Sequence, residues 1–147
     1  MRVPSLEPLI SGPALVDPWE PGGVLLRLTP AGELDPSFGN AGVIVERRGP
    51  PLIYAPVASD AAGNVLAFGY EQDPVIGSQA VLARYTEVGA PDLSFGVAGF
   101  GGPLPFAGTQ QVARAMVVQP DGRTIVSGTY FSNQPAASDI FVARYCP

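Results

Sequence analysis

Two stretches of the chain that lie 57 positions apart share most of their turn-forming residues. Residues 29–43 read TPAGELDPSFGNAGV, and residues 86–100 read TEVGAPDLSFGVAGF. Thr, Gly, Asp, Ser, Phe, Gly, Ala and Gly coincide at eight of the fifteen positions. Agreement at this level indicates an internal repeat, and a repeat constrains the fold of the whole chain.

The repeat extends to both sides of these two stretches. VLLRL at residues 24–28 aligns with VLARY at 81–85 and with FVARY at 141–145. The further matching segments are DAAGNVLAFG at 60–69 with PDGRTIVSG at 120–128, and LISG at 9–12 with IVSG at 125–128. A period of 57 to 60 residues therefore runs along the whole chain.

Each repeat consists of short apolar segments separated by Gly, Pro and Asp, a pattern typical of β-strands joined by turns. The predicted strands of a unit are a at 55–59 and 112–118, b at 65–70 and 124–130, c at 80–85 and 140–145, and d at 43–46 and near Phe100. The QPDG sequence at 119–122 predicts a tight turn with glycine at positive φ. No segment shows helical periodicity over ten or more residues, so we expect an all-β fold.

The motifs resemble a known family, the delta-60 repeat, which is a bacterial β-propeller blade. The resemblance lies in ARY at residues 83–85, DLSFGVAG at 92–99 and QPDGRTIVSG at 119–128. It departs from the family pattern at residues 27–28, which read RL, and at 59–63, which read SDAAG. The resemblance implies four-stranded antiparallel blades and an exported or cell-surface setting, and it implies no particular activity.

The strand pattern divides the chain into a partial blade at 1–47, a complete blade at 48–102 and a partial blade at 103–147. Three, four and three strands make about two and a half blades. Closed propellers contain about four to eight blades, so ten strands cannot close a ring alone. We therefore expect part of a longer propeller, a homo-oligomer that completes one, or an open stack with exposed edges.

The composition excludes several kinds of chemistry. The chain has 147 residues, of which 46% are hydrophobic and 14% charged, so it can bury a core. All eight basic residues are arginines, and there is no lysine or histidine, which removes histidine bases and ligands and the P-loop lysine. A net charge of -5 argues against nucleic acid as a partner.

Targeting signals and cysteine chemistry are weakly represented. No apolar run is long enough to predict a membrane-spanning helix. Residues 1–8 hold Pro and Glu where a signal peptide would have its apolar run, so we expect no signal peptide in this chain. The only cysteine, Cys146, cannot form a disulfide within the chain, which leaves the compartment open.

The repeated Asp35 and Asp92, each followed two residues later by serine, are the first candidates for chemistry. Their oxygens could bind Ca²⁺ or act as acid and base. They could instead accept backbone N–H groups that fix the turn, while Phe38 and Phe95 fill the core between blades. We favour the structural interpretation because an active site needs one copy, whereas a scaffold needs one in every repeat.

Three arginines, Arg27, Arg84 and Arg144, recur near the end of strand c. They could line an anion-binding channel. Alternatively, their guanidinium groups could donate paired hydrogen bonds to Asp35, Asp92 or the turn carbonyls, and we favour this second interpretation. The adjacent tyrosines, Tyr85 and Tyr145, are expected to cover the edge of the core with their hydroxyls in water.

The single tryptophan, Trp19, is the candidate ligand-binding residue. It lies between two carboxylates in residues 16–21, the predicted loop between strands b and c, and the equivalent loops at 71–79 and 131–138 differ in length and sequence. Variable loops carry recognition residues, and an aromatic ring could stack on a sugar or anchor a protein. The alternative is that it caps the end of a sheet.

These patterns favour a non-catalytic binding or structural module that recognises a protein or a glycan at the bacterial cell envelope, with no cofactor and no membrane insertion. There is no Gly-X-Ser-X-Gly elbow, and Cys146 lies at the chain end. The alternative is a metal-dependent hydrolase or lactonase-like propeller that uses carboxylates. It would require non-repeated carboxylates such as Glu46, Asp73 and Asp139 to converge.

Overall fold

The chain is all-β, as the sequence predicts. A computed structural model describes residues 9–17, 20–75, 77–102, 109–133 and 136–146. Its strands are β1 Leu9–Asp17, β2 Glu20–Arg27, β3 Val43–Glu46, β4 Leu52–Ser59, β5 Val65–Asp73, β6 Gly77–Tyr85, β7 Phe100–Gly101, β8 Thr109–Val118, β9 Thr124–Asn133 and β10 Ala136–Tyr145. In this part of the chain, no helix is long and apolar enough to cross a membrane.

The strands form three antiparallel sheets that follow one another along the chain. The first sheet has the order β1-β2-β3, the middle sheet β4-β5-β6-β7 and the third β10-β9-β8. Three, four and three strands were expected from the repeat. None of the sheets closes on itself within the described residues, and the propeller arrangement stays a prediction.

The hairpins between strands b and c are longer than the sequence suggested. Polar residues at 71–79 were expected to form a loop, but β5 continues to Asp73 and β6 begins at Gly77. Glu71 pairs with Gln79 in this ladder. The backbone ladder does not depend on side-chain polarity, so strands at an exposed hairpin end can extend through polar residues. The expected loops at 16–21 and 131–138 are likewise shortened, since β1 reaches Asp17 and β9 reaches Asn133.

The middle sheet is buried on both faces. Val65, Ala67, Val81, Ala83 and Tyr85 belong to the core that it shares with the first sheet. The alternate residues Leu66, Phe68, Ala80 and Leu82 belong to the core that it shares with the third sheet. Successive side chains of a strand point to opposite faces, so two buried faces require the continuous apolar run at residues 65–68.

The tight turns have the geometry that their residues favour. In the turn after β8, the Gly122 amide donates to the Gln119 carbonyl at 2.9 Å, and Gly122 has φ +82°. Gly63 occupies the same place after β4, with φ +85°. Glycine has no Cβ and adopts positive φ without steric cost, which lets each turn join neighbouring antiparallel strands.

Candidate functional site

The repeated aspartate and arginine belong to one turn, which is built the same way twice. Arg27 Nε donates to Asp35 Oδ2 at 2.7 Å, and its guanidinium also donates to the Ser37 hydroxyl at 2.9 Å. Asp35 Oδ1 accepts the Ser37 amide at 2.9 Å and the Ser37 hydroxyl at 2.7 Å. The hydrogen bonds that the structural interpretation expected of Asp35 and Arg27 are therefore present.

The second copy repeats this geometry. Arg84 Nε donates to Asp92 Oδ2 at 2.7 Å, and Asp92 Oδ1 accepts the Ser94 amide at 3.0 Å. Hydrogen bonds from Ser94, together with Arg84, lower the pKa of Asp92, and Ser37 and Arg27 do the same for Asp35. These hydrogen bonds favour the ionised form of both carboxylates.

The turn of the first sheet is also tied to the middle sheet. Arg27 donates to the Glu87 carbonyl at 2.6 Å, and the Gly39 amide donates to the Val88 carbonyl at 2.9 Å. The aromatic residue of each turn is buried as predicted, since Phe38 belongs to the core between the first two sheets and Phe95 to the other core. The guanidinium of Arg27 lies 4.6 Å from the centre of the Phe38 ring.

The candidate ligand-binding residue, Trp19, lies outside the described residues, so its role stays a prediction. Of the non-repeated carboxylates, Asp73 accepts the Val75 amide at 2.7 Å and Asp139 accepts the Ile140 amide at 2.8 Å. Glu46 lies close enough to Glu71 for the two charges to interact, and sequence reasoning did not select Glu71 as a carboxylate candidate. Within the described residues there is no group of three or more His, Cys, Asp or Glu side chains that could hold a metal ion.

A polar cluster that the repeat does not predict lies at the core between the first two sheets. The Tyr85 hydroxyl lies 2.8 Å from the Tyr54 hydroxyl and donates to Glu46 Oε2 at 3.2 Å. Only 1% of Tyr85 is exposed, so the expectation that its hydroxyl lies in water was wrong. Tyr145 fits it better, because it is only partly buried.

Glycine makes room for the buried tyrosine pair. A Cβ atom on Gly23 would lie 2.7 Å from Cε2 of Tyr54, which is too close for two carbon atoms that are not bonded. Gly23 pairs with Glu46 across β2 and β3, and Tyr54 pairs with Gly69 across β4 and β5. The ring of Tyr54 therefore occupies the space that a side chain at Gly23 would take.

Burial controls the protonation of this cluster. Removal from water raises the pKa of Glu46, while the Tyr85 hydroxyl and Arg48 oppose that rise. Burial also raises the pKa of Tyr54 and of Tyr85 well above the usual tyrosine value. Both hydroxyls stay protonated, so one can donate to the other while the second donates to Glu46.

A cleft of about 200 Å³ lies beside the cluster. Arg48, Glu71, Gln79 and Phe100 line it together with the backbone of Gly101. The Arg48 guanidinium lies 3.8 Å from the centre of the Phe100 ring, and its Nε is 3.3 Å from Glu71 Oε1. Glu71 Oε1 is shielded from solvent, yet it accepts no hydrogen bond from the described residues.

The cleft thus offers hydrogen-bonding groups of both kinds. Arg48 is a donor, Glu71 is an acceptor whose Oε1 is ion-paired but accepts no hydrogen bond, and the amide of Gln79 is both. One sequence signal could have pointed to this site. Glu46 and Glu71 are charged residues within strands, and the corresponding positions of the other repeats carry no charge.

We expect the variant Glu46→Gln to be more stable than the parent protein at pH 8 and to lose this advantage near pH 4. The folded-state pKa of Glu46 lies above its ordinary value of 4.5, so its stabilising contribution is present below that value and is lost as pH rises through the folded pKa. Glutamine stays neutral and keeps an oxygen for the Tyr85 hydroxyl. Urea unfolding of both proteins at the two pH values measures the difference.

Glu33→Gln is the matched control, because it removes the same charge at an exposed turn position. Its effect on the free energy of unfolding should be equal at both pH values. A Glu46→Gln effect that is also independent of pH would contradict the prediction. Acid-induced loss of the Asp35 and Asp92 contributions is common to all three proteins and cancels in the comparison.

A comparison with known proteins found no matching family model and no matching curated protein. The described residues form an all-β fold of three small antiparallel sheets, and the sequence contains an internal repeat.

Proposed function

We propose that this chain is a β-propeller-repeat module of the delta-60 kind, and that it binds rather than catalyses. Two features support the repeat assignment: the alternation of three, four and three strands, and the arginine–aspartate turn that is built twice with the same distances. In this proposal the repeated polar residues form the scaffold, and recognition falls to residues that break the repeat.

The ligand that the cleft favours is a glycan of the cell envelope. The observation that carries this proposal is the shielded Oε1 of Glu71, which is ion-paired with Arg48 but accepts no hydrogen bond from the described residues. Glu71 lines the same cleft as Arg48 and Gln79. Arg48 Nε lies 3.3 Å from this oxygen without forming a hydrogen bond to it, and a ligand hydroxyl would supply the missing donor. Sugar hydroxyls both donate and accept, which matches the mixed set of groups, and the volume suits one sugar ring.

The proposal is tested by titrating the ¹⁵N-labelled protein with neutral pyranoses and with uronic acids while the amide chemical shifts are recorded. A sugar of about twelve non-hydrogen atoms at about 0.3 kcal/mol per atom should bind with a Kd of about a millimolar. Shifts should concentrate at the Gly101 and Gln79 amides. Glu71→Gln should weaken binding about tenfold, while Glu33→Gln should leave it unchanged. Titrations with no saturable shift at the cleft would overturn the glycan proposal.

One observation favours the second candidate, a metal-dependent or lactonase-like hydrolase. Glu46 is close enough to Glu71 for the two charges to interact, and burial raises the pKa of Glu46, an arrangement typical of acid–base pairs. If the chain hydrolyses chromogenic lactones or esters with or without added divalent cations, Glu46→Gln and Glu71→Gln should each abolish turnover. Activity that survives both changes would reject this candidate.

A further inference from the structure

The sheets at the two ends of the stack each present an apolar outer face. On the first sheet this surface, the leading face, consists of Ile10, Val24, Leu26, Val43 and Val45, all on the side opposite the core residues Leu25 and Ile44. On the third sheet the trailing face contains Val117, Ile125, Phe131, Ile140 and Val142, opposite Val126 and Phe141. Ser127, Thr129 and Arg144 lie on the same face. The exposed fraction reaches 74% at Ile140 and 69% at Val142 on the trailing face, and 47% at Ile10 and 41% at Val45 on the leading face.

In the repeat alignment, the leading face corresponds to the face of the middle sheet that packs against the first sheet. Val24 and Leu26 align with Val81 and Ala83, which belong to the core between the first two sheets. The same positions in the third sheet, Phe141 and Ala143, pack into the core that faces the middle sheet. Each described sheet that follows another therefore uses these positions to pack on its predecessor.

The trailing face is the complementary surface. Val142 aligns with Leu25 and Leu82, and each of those leucines is fully buried against the sheet that follows it. Ile140 aligns with Ala80, which is buried in the same way. In the first two sheets these positions pack against the sheet that follows. In the third sheet the same positions are exposed.

We propose that copies of this chain associate head to tail, with the leading face of one copy packed on the trailing face of the next. The contact would repeat the two sheet–sheet interfaces that already exist within the chain. Large exposed apolar faces are uncommon on monomeric proteins, which supports an occupant for both. A contact between two different faces is heterologous, so it produces a closed ring or an open filament.

The solution mass tests the association. Light scattering on the purified chain, from about 1 µM to about 100 µM, should show a mass that rises above the 15.2 kDa of one chain. Val142→Glu on the trailing face and Val45→Glu on the leading face should each raise the concentration for half-association at least tenfold. Val75→Glu, which lies in the turn after β5 and is 89% exposed, should not change it.

Mixing the two variants distinguishes the head-to-tail contact from a contact between like faces. Val142→Glu keeps an intact leading face and Val45→Glu keeps an intact trailing face, so an equimolar mixture should form a heterodimer that grows no further. If either variant alone still forms a dimer as readily as the parent, or if the parent stays monomeric at the highest concentration, the proposal is overturned. A variant that loses its far-ultraviolet circular dichroism is replaced by Ile140→Glu or Ile10→Glu on the same face.

This inference does not depend on the ligand proposed for the cleft. Substitutions on the two outer faces leave Arg48, Glu71 and Gln79 unchanged, so a mass that stays monomeric would leave the sugar titration open. A negative sugar titration would equally leave the association intact.

Discussion

Replacing Phe38 by alanine is expected to lower the free energy of unfolding by about 3 to 5 kcal/mol. The ring is completely buried between the first two sheets, in one core with Leu25, Ile44 and Leu52, and Arg27 lies over its face. Its removal therefore costs both the transfer of the ring from water and the cavity that remains. Urea unfolding followed by circular dichroism measures the loss.

Leu93→Ala is the control for this prediction. Leu93 lies in the equivalent turn after β6 but is 77% exposed, so its truncation should change the free energy of unfolding by less than about 0.5 kcal/mol. Similar losses in the two variants would mean that the burial of Phe38 does not hold the first sheet to the middle one.

Gly39→Ala should destabilise the protein by at least about 2 kcal/mol more than Gly32→Ala. Both glycines have positive φ, +55° at Gly39 and +84° at Gly32, so both substitutions strain the backbone. At Gly39 the new Cβ would also lie 2.5 Å from the Val43 carbonyl oxygen, whereas at Gly32 there is nothing within 4 Å.

The difference between these two variants isolates the steric clash from the backbone strain that they share. Thermal and urea unfolding should rank them in the same order. If the two alanine variants proved equally stable, the close approach of Gly39 to β3 could not be a requirement of this turn.

The architecture could be predicted from the sequence because the repeat carries several independent copies of the same local signals. Asp35 and Asp92, with their serines, predicted a turn whose hydrogen bonds the structure shows, and Gly122 predicted the tight turn that follows β8. Two-sided burial of the middle sheet also follows from the apolar run at 65–68.

The candidate site could not be predicted in this way, because Glu46, Tyr54 and Glu71 do not recur in the other repeats, although Tyr85 recurs as Tyr145. Tyr54 and Tyr85 are 31 positions apart, and only the packing of sheet on sheet decides that their hydroxyls meet. The polarity of Glu71 favoured a loop, yet ladder hydrogen bonds hold it within β5 beside the cleft. Tertiary packing overrode local preference at both places.

The hydrogen bonds that tie the first turn to the next repeat end on main-chain carbonyls, those of Glu87 and Val88. Every residue supplies such a carbonyl, so the acceptor side of this joint tolerates any mutation that keeps the backbone path. The exposed side chains of Glu87 and Val88 can then change while the spacing between units is kept. Gly89 in the same turn cannot, because a Cβ there would lie 2.7 Å from the Gly39 nitrogen. Duplication or deletion of a whole unit recreates the same backbone contact and requires no new interface. A chain with such contacts can therefore evolve by gaining or losing one repeat at a time.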